Sequence, residues 1–202
     1  MNLEINELPE LLKKYGNTNF ENLFNLKPEE LGQVLVYDRQ NKVHNEKTIY
    51  RFYKSYLASP KFDPKVDKSY MFSNAADTLR EKDCPPELIP YLSFAKSLDS
   101  RYNQMTVNWY EPENLIEMHR DCTAKMVEPT ILCINLNEND SRQAVRDFEI
   151  QDVKTGEECS IPLINNRYLI MSGDSQITHR HGVGTGKNKR ISITFRMINP
   201  EL

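Results

Sequence analysis

The chain has 202 residues, of which 39% are hydrophobic and 27% charged, and its formal net charge is −3. This length suits one domain with a sizeable core. The small negative charge argues against a protein whose main task is nonspecific phosphate binding, because such proteins carry a basic surplus. No apolar run approaches the roughly 20 residues that cross a bilayer, and the acidic first seven residues lack a signal-peptide pattern. We therefore expect no membrane association and an intracellular protein, cytoplasmic or nuclear, that is not secreted.

The first half of the chain is predicted to be mainly helical. Residues 7–15 form a short amphipathic stretch, and Pro28-Glu29-Glu30 suits the first turn of a helix that would reach Tyr37. Pro85-Pro86-Glu87 opens the clearest helix, which should end near residues 99–103. Its apolar residues recur at helical spacing: Leu88, Tyr91, Leu92, Ala95 and Leu98.

The second half changes to short strands separated by polar turns, which is typical of a sandwich or barrel. The predicted strands cover residues 105–110, 130–136, 148–150, 167–171 and 190–197. We find no internal repeat or low-complexity linker. The simplest organisation is one domain over residues 1–202, with residues 1–100 packed on a β core formed by residues 101–202 and serving as a candidate substrate lid.

Cysteine usage gives no sign of a structural metal site. The four cysteines, at positions 84, 122, 133 and 159, form no CxxC pair. In a reducing compartment they are expected to be free thiols. We interpret them as small buried hydrophobic residues.

A possible metal site begins at His119-Arg120-Asp121, because residues two apart on a strand project to the same face. One segment then offers an imidazole nitrogen and a carboxylate oxygen to one ion. The third ligand must come from far along the chain, where both His179 and His181 are candidates. Two histidines and one carboxylate are the facial triad of non-haem Fe(II) oxygenases, which leaves open positions for a cosubstrate and O₂.

The last predicted strand has one polar and one apolar face. Its polar face carries Arg190, Ser192, Thr194 and Arg196 without any acidic residue. A solvated outer face is the simpler interpretation of such a pattern. However, guanidinium groups bind carboxylates in a forked geometry, so two arginines on one strand also suit a ligand with two carboxylates.

Two further polar side chains share a face of the strand at 105–110, whereas Trp109 points the other way. Asn108 and Tyr110 are suitable donors to a cosubstrate carboxylate or keto oxygen. A core-lining pair that bonds backbone groups is the alternative. Basic and aromatic residues interleave over residues 50–56, a pattern that can stack bases and pair with phosphates. The preferred interpretation is a segment packed on the core with Arg51 and Lys54 reaching out to solvent.

The ordered set of these motifs resembles the AlkB-like branch of the Fe(II)/2-oxoglutarate dioxygenases. The resemblance covers about residues 102–198 and rests on four pieces of sequence: Asn108-x-Tyr110, His119-x-Asp121, Arg180-His181-Gly182-Val183, and Arg190 followed by Arg196 after five residues. It implies an α+β fold built on a double-stranded β-helix, a jelly-roll relative, with the N-terminal region packed on it. It also implies Fe(II), 2-oxoglutarate and O₂ as the reactants.

The resemblance assigns roles residue by residue. It implies that His119, Asp121 and His181 bind iron, because the family's last ligand also precedes glycine and an aliphatic residue. His179 is then a rim residue or a partner of the ligands. Arg190 would bind the distal carboxylate of 2-oxoglutarate. Two further cosubstrate contacts would be Asn108 and Tyr110, and Arg196 would lie near the metal-side carboxylate and Asp121.

The implied reaction oxidises a substrate C–H bond while 2-oxoglutarate is converted to succinate and CO₂. Oxidative demethylation of alkylated DNA or RNA by a monomeric enzyme is the first hypothesis. The nucleic-acid-repairing members carry acidic residues just beyond the HxD aspartate, where this chain has Thr123 and Ala124. A hydroxylase or demethylase of a protein side chain or small molecule is therefore the alternative. A non-catalytic binding module is the third hypothesis.

Overall fold

The structure is a computed structural model, and it describes residues 2–38, 43–59, 78–121, 126–139 and 146–199. The helices are α1 (Glu10–Phe24), α2 (Ile89–Leu98) and the single turn α3 (Ser175–Thr178), with 3₁₀ turns at Glu81–Asp83 and Pro86–Leu88. The strands are β1 (Asn2–Glu7), β2 (Gln33–Asp38), β3 (Val43–Thr48), β4 (Phe52–Leu57), β5 (Thr78–Arg80), β6 (Gln104–Tyr110), β7 (Ile116–His119), β8 (Met126–Asn137), β9 (Asp147–Asp152), β10 (Glu158–Pro162), β11 (Arg167–Ser172), β12 (His179–Val183) and β13 (Arg190–Ile198).

Two β-sheets form the centre of the described structure. The larger has the order β1-β11-β8-β13-β6-β4-β5, and the smaller has the order β10-β9-β12-β7. In the larger sheet β13 lies between β8 and β6 and is antiparallel to both. Strands β2 and β3 form a separate hairpin. Apart from the parallel edge pair β4–β5, the strand pairs of both sheets are antiparallel, and the two packed sheets form the jelly-roll architecture expected from the sequence.

The two faces of the larger sheet have different neighbours. One face packs against α1 and α2 in the main apolar cluster, which includes Trp109, Ile191 and Ile193. The indole Nε1–H of Trp109 donates to the carbonyl of Leu23 in α1 at 2.8 Å. The other face looks toward the smaller sheet across a second apolar cluster that contains Phe148 from β9 and Val183 from β12. The functional side chains lie on this second face.

The prediction of a mainly helical first half was wrong. The described part of residues 1–100 holds α1 and α2 but also β1 to β5. The helix predicted from Pro28 to Tyr37 is a run of turns followed by β2, because the β-branched and aromatic residues after Gln33 favour an extended chain. The helix predicted after Pro85 is confirmed as a 3₁₀ turn that continues into α2.

The predictions for the second half fared better. The strands expected at 105–110, 130–136, 148–150, 167–171 and 190–197 correspond to β6, β8, β9, β11 and β13. Three short strands there were missed, namely β7, β10 and β12. Among the described residues, no helix is long and apolar enough to cross a membrane.

Candidate metal and cosubstrate site

The polar face of β13 is buried inside the molecule and is not the solvated face that the simpler interpretation required. Arg190 is 2% exposed and Arg196 is 7% exposed, and Ser192 and Thr194 between them are also buried. These four side chains face the space between the two sheets, opposite the apolar residues that pack on the helices. We refer to this buried row, with an arginine at each end, as the polar pocket; each guanidinium there needs an anion or several acceptors.

His119, Asp121 and His181 meet at one end of this pocket. Their ligand atoms all lie within 4.8 Å of one another, and within the described ranges this is the one cluster of metal-ligating side chains that meets this criterion. The ladder between β12 and β7 makes His181 the cross-strand partner of His119. Strand β7 ends at His119, and Asp121 follows after one further residue, so the strand carries the histidine but not the carboxylate.

Each of these side chains is fixed by neighbours. The Nδ1–H of His119 donates to the carbonyl of Glu117 at 2.8 Å, which leaves Nε2 as the free ring nitrogen. The His181 ring stacks on Phe148 with ring centroids 5.4 Å apart. The backbone N–H of Asp121 donates to Gln176 Oε1 at 3.0 Å. Such partners orient ligands before a metal binds.

The electrostatics hold the ligands in their metal-binding protonation states. Burial raises the pKa of Asp121, but the attraction of Arg196 and the two imidazoles outweighs it and lowers the pKa to about 2. Arg196 Nη2 donates to both carboxylate oxygens of Asp121 at 3.1 Å. Burial, followed by the nearby His119, lowers the pKa of His181 to about 4. The neutral imidazoles and the carboxylate are the forms that metals require.

Arg190 occupies the other end of the pocket. Its Nε–H donates to Asn135 Oδ1 at 2.6 Å, and the amide nitrogen of Asn135 donates to the carbonyls of Leu163 and Ile164. Arg190 Nη1 is buried without a hydrogen-bond partner in the described structure. A buried cationic N–H without an acceptor is costly, and a ligand carboxylate at this position would supply the missing acceptor.

Asn108 and Tyr110 both lie in this pocket, on the strand next to β13. The Tyr110 ring lies beneath the Arg190 guanidinium, which is 4.8 Å from the ring centroid. Asn108 Oδ1 is engaged by the Nε–H of Arg51 at 2.9 Å, not by the backbone. The structure therefore brings together all seven site residues predicted from the sequence.

Arg51 lies close to these residues, and the orientation predicted for its side chain was wrong. Its side chain turns inward to Asn108, although the preferred prediction directed it to solvent. The charges of Asp121 and Arg196 both act on its pKa, which burial lowers. The signal available in the sequence was a lone arginine between two aromatic residues, Tyr50 and Phe52, with no acidic residue beside it.

The remaining predictions concern residues near this centre. His179 lies outside the ligand cluster, where its Nδ1 is 2.8 Å from Thr178 Oγ1 and its Nε2 is 3.7 Å from Asp152. Cys84 and Cys133 are buried free thiols as expected, whereas Cys159 is free but exposed, so its prediction was wrong. Three other residues named in the sequence interpretation lie outside the described residues: Cys122, Thr123 and Ala124.

Comparison with known proteins then decides the family. The model of the 2OG-Fe(II) oxygenase superfamily matches residues 26–196. The chain belongs to this superfamily. The expected oxygenase class and its reactants, Fe(II), 2-oxoglutarate and O₂, are thereby confirmed at the level of the family.

The chain is also similar to individual proteins. The chain is 32% identical over 111 residues to the RNA-directed RNA polymerase of Lolium latent virus, a match that covers 54% of this chain but 6% of that protein. The OsALKBH1 structure is 14% identical with a TM-score of 0.53, covering 96% of this chain and 97% of that one. A Pseudomonas putida prolyl-4-hydroxylase is 12% identical with a TM-score of 0.52, covering 96% and 91%. The two solved structures show that the fold is shared.

Proposed function

We propose that this oxygenase binds Fe(II) through His119 Nε2, one carboxylate oxygen of Asp121 and one ring nitrogen of His181. The observation that carries the proposal is the meeting of these donors within 4.8 Å of one another. The donor set suits non-haem Fe(II), because two imidazoles and one carboxylate leave positions open for further ligands. The hydrogen bond from His119 Nδ1 to a carbonyl supports Nε2 as its ligand atom.

Arg190 and Arg196 are proposed to hold 2-oxoglutarate between them. Arg190 has an unpaired buried Nη1 for the distal carboxylate, and Asn135 fixes the direction of its guanidinium. Arg196 holds Asp121 at the metal end. On the polar face of β13 the two side chains between the arginines are the small residues Ser192 and Thr194, which suits a short diacid in this position. Asn108 and Tyr110 are proposed as further contacts on the neighbouring strand.

In this arrangement the protein orients the reactants and excludes water. Iron held by His119, Asp121 and His181, together with 2-oxoglutarate, would supply the oxidation of a substrate C–H bond by O₂, in which one oxygen atom enters the substrate and the other enters succinate as CO₂ is released. Arg196 keeps Asp121 ionised, and burial keeps His181 neutral, so no ligand must lose a proton near neutral pH. When the oxidised carbon is an N-methyl group, the hydroxymethyl product breaks down to formaldehyde and a free N–H.

We propose N-alkylated nucleic acid, with RNA first, as the substrate. The printed name of the viral relative refers to RNA synthesis. Arginines also occur near the site, because exposed Arg120 and Arg180 lie next to the paired histidines in sequence and Arg51 contacts Asn108. Tyr50, beside Arg51, is 53% exposed and available for stacking. Guanidinium groups with an exposed aromatic ring suit single-stranded nucleic acid.

The second candidate is a hydroxylase or demethylase of a protein side chain or small molecule. The net charge of −3 favours it, because a nucleic-acid enzyme usually carries a basic surplus. A non-catalytic module is disfavoured, because such a module has no need of an unpaired buried arginine beside three intact ligands. The single domain over residues 1–202, the monomeric state and the intracellular location stay predictions.

Two coupled assays test the proposal. Succinate formation from 2-oxoglutarate with Fe(II), compared with the His181→Ala variant, separates an oxygenase from a binding module. Formaldehyde release from methylated RNA and DNA oligonucleotides, measured beside methylated peptides and free amino acids, identifies the substrate class. We expect release from RNA that is lost with His181→Ala. Release from peptides alone would move the function to the second candidate, and wild-type succinate formation by His181→Ala would refute the iron site.

A further inference from the structure

Arg51 is anchored by hydrogen bonds next to Asn108, one of the proposed cosubstrate contacts. It directly precedes β4, and its carbonyl accepts a hydrogen bond from the N–H of Gly32 at 3.0 Å. The preceding carbonyl, of Tyr50, accepts one from Leu115 N–H at 2.9 Å. The side chain is fixed by Asn108, which accepts from its Nε. Hydrogen bonds to the carbonyls of Tyr50 and Arg51 therefore fix the backbone here, and Asn108 fixes the guanidinium.

The terminal amino groups of Arg51 are available to a ligand. Its one hydrogen bond in the described structure uses Nε, and the residue keeps part of its surface open to solvent. The carboxylate whose charge acts on it, Asp121, already accepts two hydrogen bonds from Arg196. Among the described residues, Arg51 has no carboxylate ion-pair partner of its own, and its positive charge acts on both His119 and Asp121.

A positive charge at this place discriminates among methylated bases. Methylation of N1 of adenine or N3 of cytosine gives a cationic ring, whereas methylation of the exocyclic N6 of adenine or of N3 of uracil leaves the base neutral. Like charges several ångströms apart in a partly buried site repel strongly. A neutral base also offers ring nitrogen or carbonyl acceptors, to which a guanidinium can donate.

We propose that Arg51 determines substrate specificity by selecting neutral, acceptor-bearing methylated bases over cationic ones. The proposal rests on the proposed demethylation of nucleic acid and narrows its substrate class. Arg51 does not bind iron, and its contact with Asn108 leaves Nη1 and Nη2 for the base. The same two groups would also suit a carboxylate of a small substrate, which the experiment distinguishes.

The test compares single-stranded RNA oligonucleotides of one sequence that carry N6-methyladenine, N3-methyluracil, N1-methyladenine or N3-methylcytosine. The measured quantity is the ratio of kcat/KM for neutral over cationic bases, from formaldehyde release. Wild type should favour neutral bases by about tenfold or more. Arg51→Gln should bring the ratio near one, Arg51→Glu should invert it, and Arg51→Lys should keep it above one. Arg101→Gln, an exposed arginine paired with Asp99, is the matched control.

Three other results would overturn or reassign the proposed role of Arg51. A ratio that stays the same in all Arg51 variants, with turnover intact, overturns the specificity role and leaves the proposed demethylation standing. A rise confined to the KM for 2-oxoglutarate would instead make Arg51 a cosubstrate contact. If 2-oxoglutarate is consumed but no methylated oligonucleotide is oxidised, the nucleic-acid function fails and this inference falls with it. If Arg51→Glu does not fold, Arg51→Gln and Arg51→Lys still give the comparison.

Discussion

Replacing Arg190 with methionine should separate cosubstrate binding from folding. Arg190 is 2% exposed, so water does not weaken its interaction with a bound carboxylate. A hydrogen bond to a charged group contributes about 1.5–3 kcal/mol, and two prongs of a guanidinium contribute about 3 kcal/mol at the lower limit. At about 1.4 kcal/mol per tenfold change, the dissociation constant for 2-oxoglutarate should rise by about 100-fold or more.

The same substitution should cost little stability. It removes the 2.6 Å hydrogen bond from Nε to Asn135 Oδ1, but it also removes Nη1, a buried donor without a partner. A lost bond and a relieved desolvation penalty are each about 1–3 kcal/mol and oppose each other. Methionine fills a similar elongated space. We therefore expect a melting temperature within a few degrees of wild type.

Titration calorimetry of 2-oxoglutarate into Mn(II)-loaded protein without oxygen measures the affinity without turnover, and calorimetric melting gives stability. The matched control is Arg101→Met, which removes an exposed arginine paired with Asp99 and should leave both quantities unchanged. A dissociation constant for Arg190→Met within threefold of wild type would show that the diacid does not lie at this arginine. A collapse of the fold would show that Arg190 is structural in the free protein.

Three further outcomes are expected. Asp121→Ala should abolish metal binding and lower the free energy of unfolding by about 3 kcal/mol, since it breaks a buried ion pair with Arg196. His119→Ala, which leaves that ion pair intact, should lower it less, and equal losses of stability in the two variants by urea unfolding would contradict this. In metal-free protein, the unfolded chain protonates His181 below its ordinary pKa of 6.5 while the folded imidazole stays neutral down to about 4. Stability should therefore fall by up to about 3 kcal/mol from pH 6.5 to pH 4, and a His181→Asn variant that keeps the same pH slope would refute the cause. Iodoacetamide should label exposed Cys159 in the native protein but spare Cys84, whose pKa burial raises to about 12; peptide mapping by mass spectrometry that shows equal labelling would be the contrary result.

The long strands and the order of the motifs were predictable because they depend on local patterns. The alternation along β13 identified a polar face, and the order of His119, Asp121 and His181 along the chain resembled that of the family's iron ligands. Residues two apart on a strand share a face whatever the fold. The separation of Trp109 from Asn108 and Tyr110 followed from the same rule.

The missed features depend on contacts between distant segments. The strands β7 and β12 are four and five residues long, too short for a periodic signal, and they are defined by their pairing with each other and by that of β12 with β9. Strand β1 is mostly exposed and is extended because β11 supplies its hydrogen bonds. The inward turn of Arg51 depends on the amide oxygen of Asn108, which is 57 residues away. No local pattern contains that information.

The position of β7 at the edge of its sheet suggests that bound iron would also have a structural role. Within the described structure β7 is the outer strand of the smaller sheet and pairs with β12 alone, through a ladder interrupted between His181 and Val183. An ion bound by both His119 and His181 would hold the edge strand β7 to β12. Loss of iron would then weaken the attachment of this edge strand, and exposed sheet edges can pair with other chains. Removal of the metal should therefore increase aggregation of the protein as well as abolish turnover.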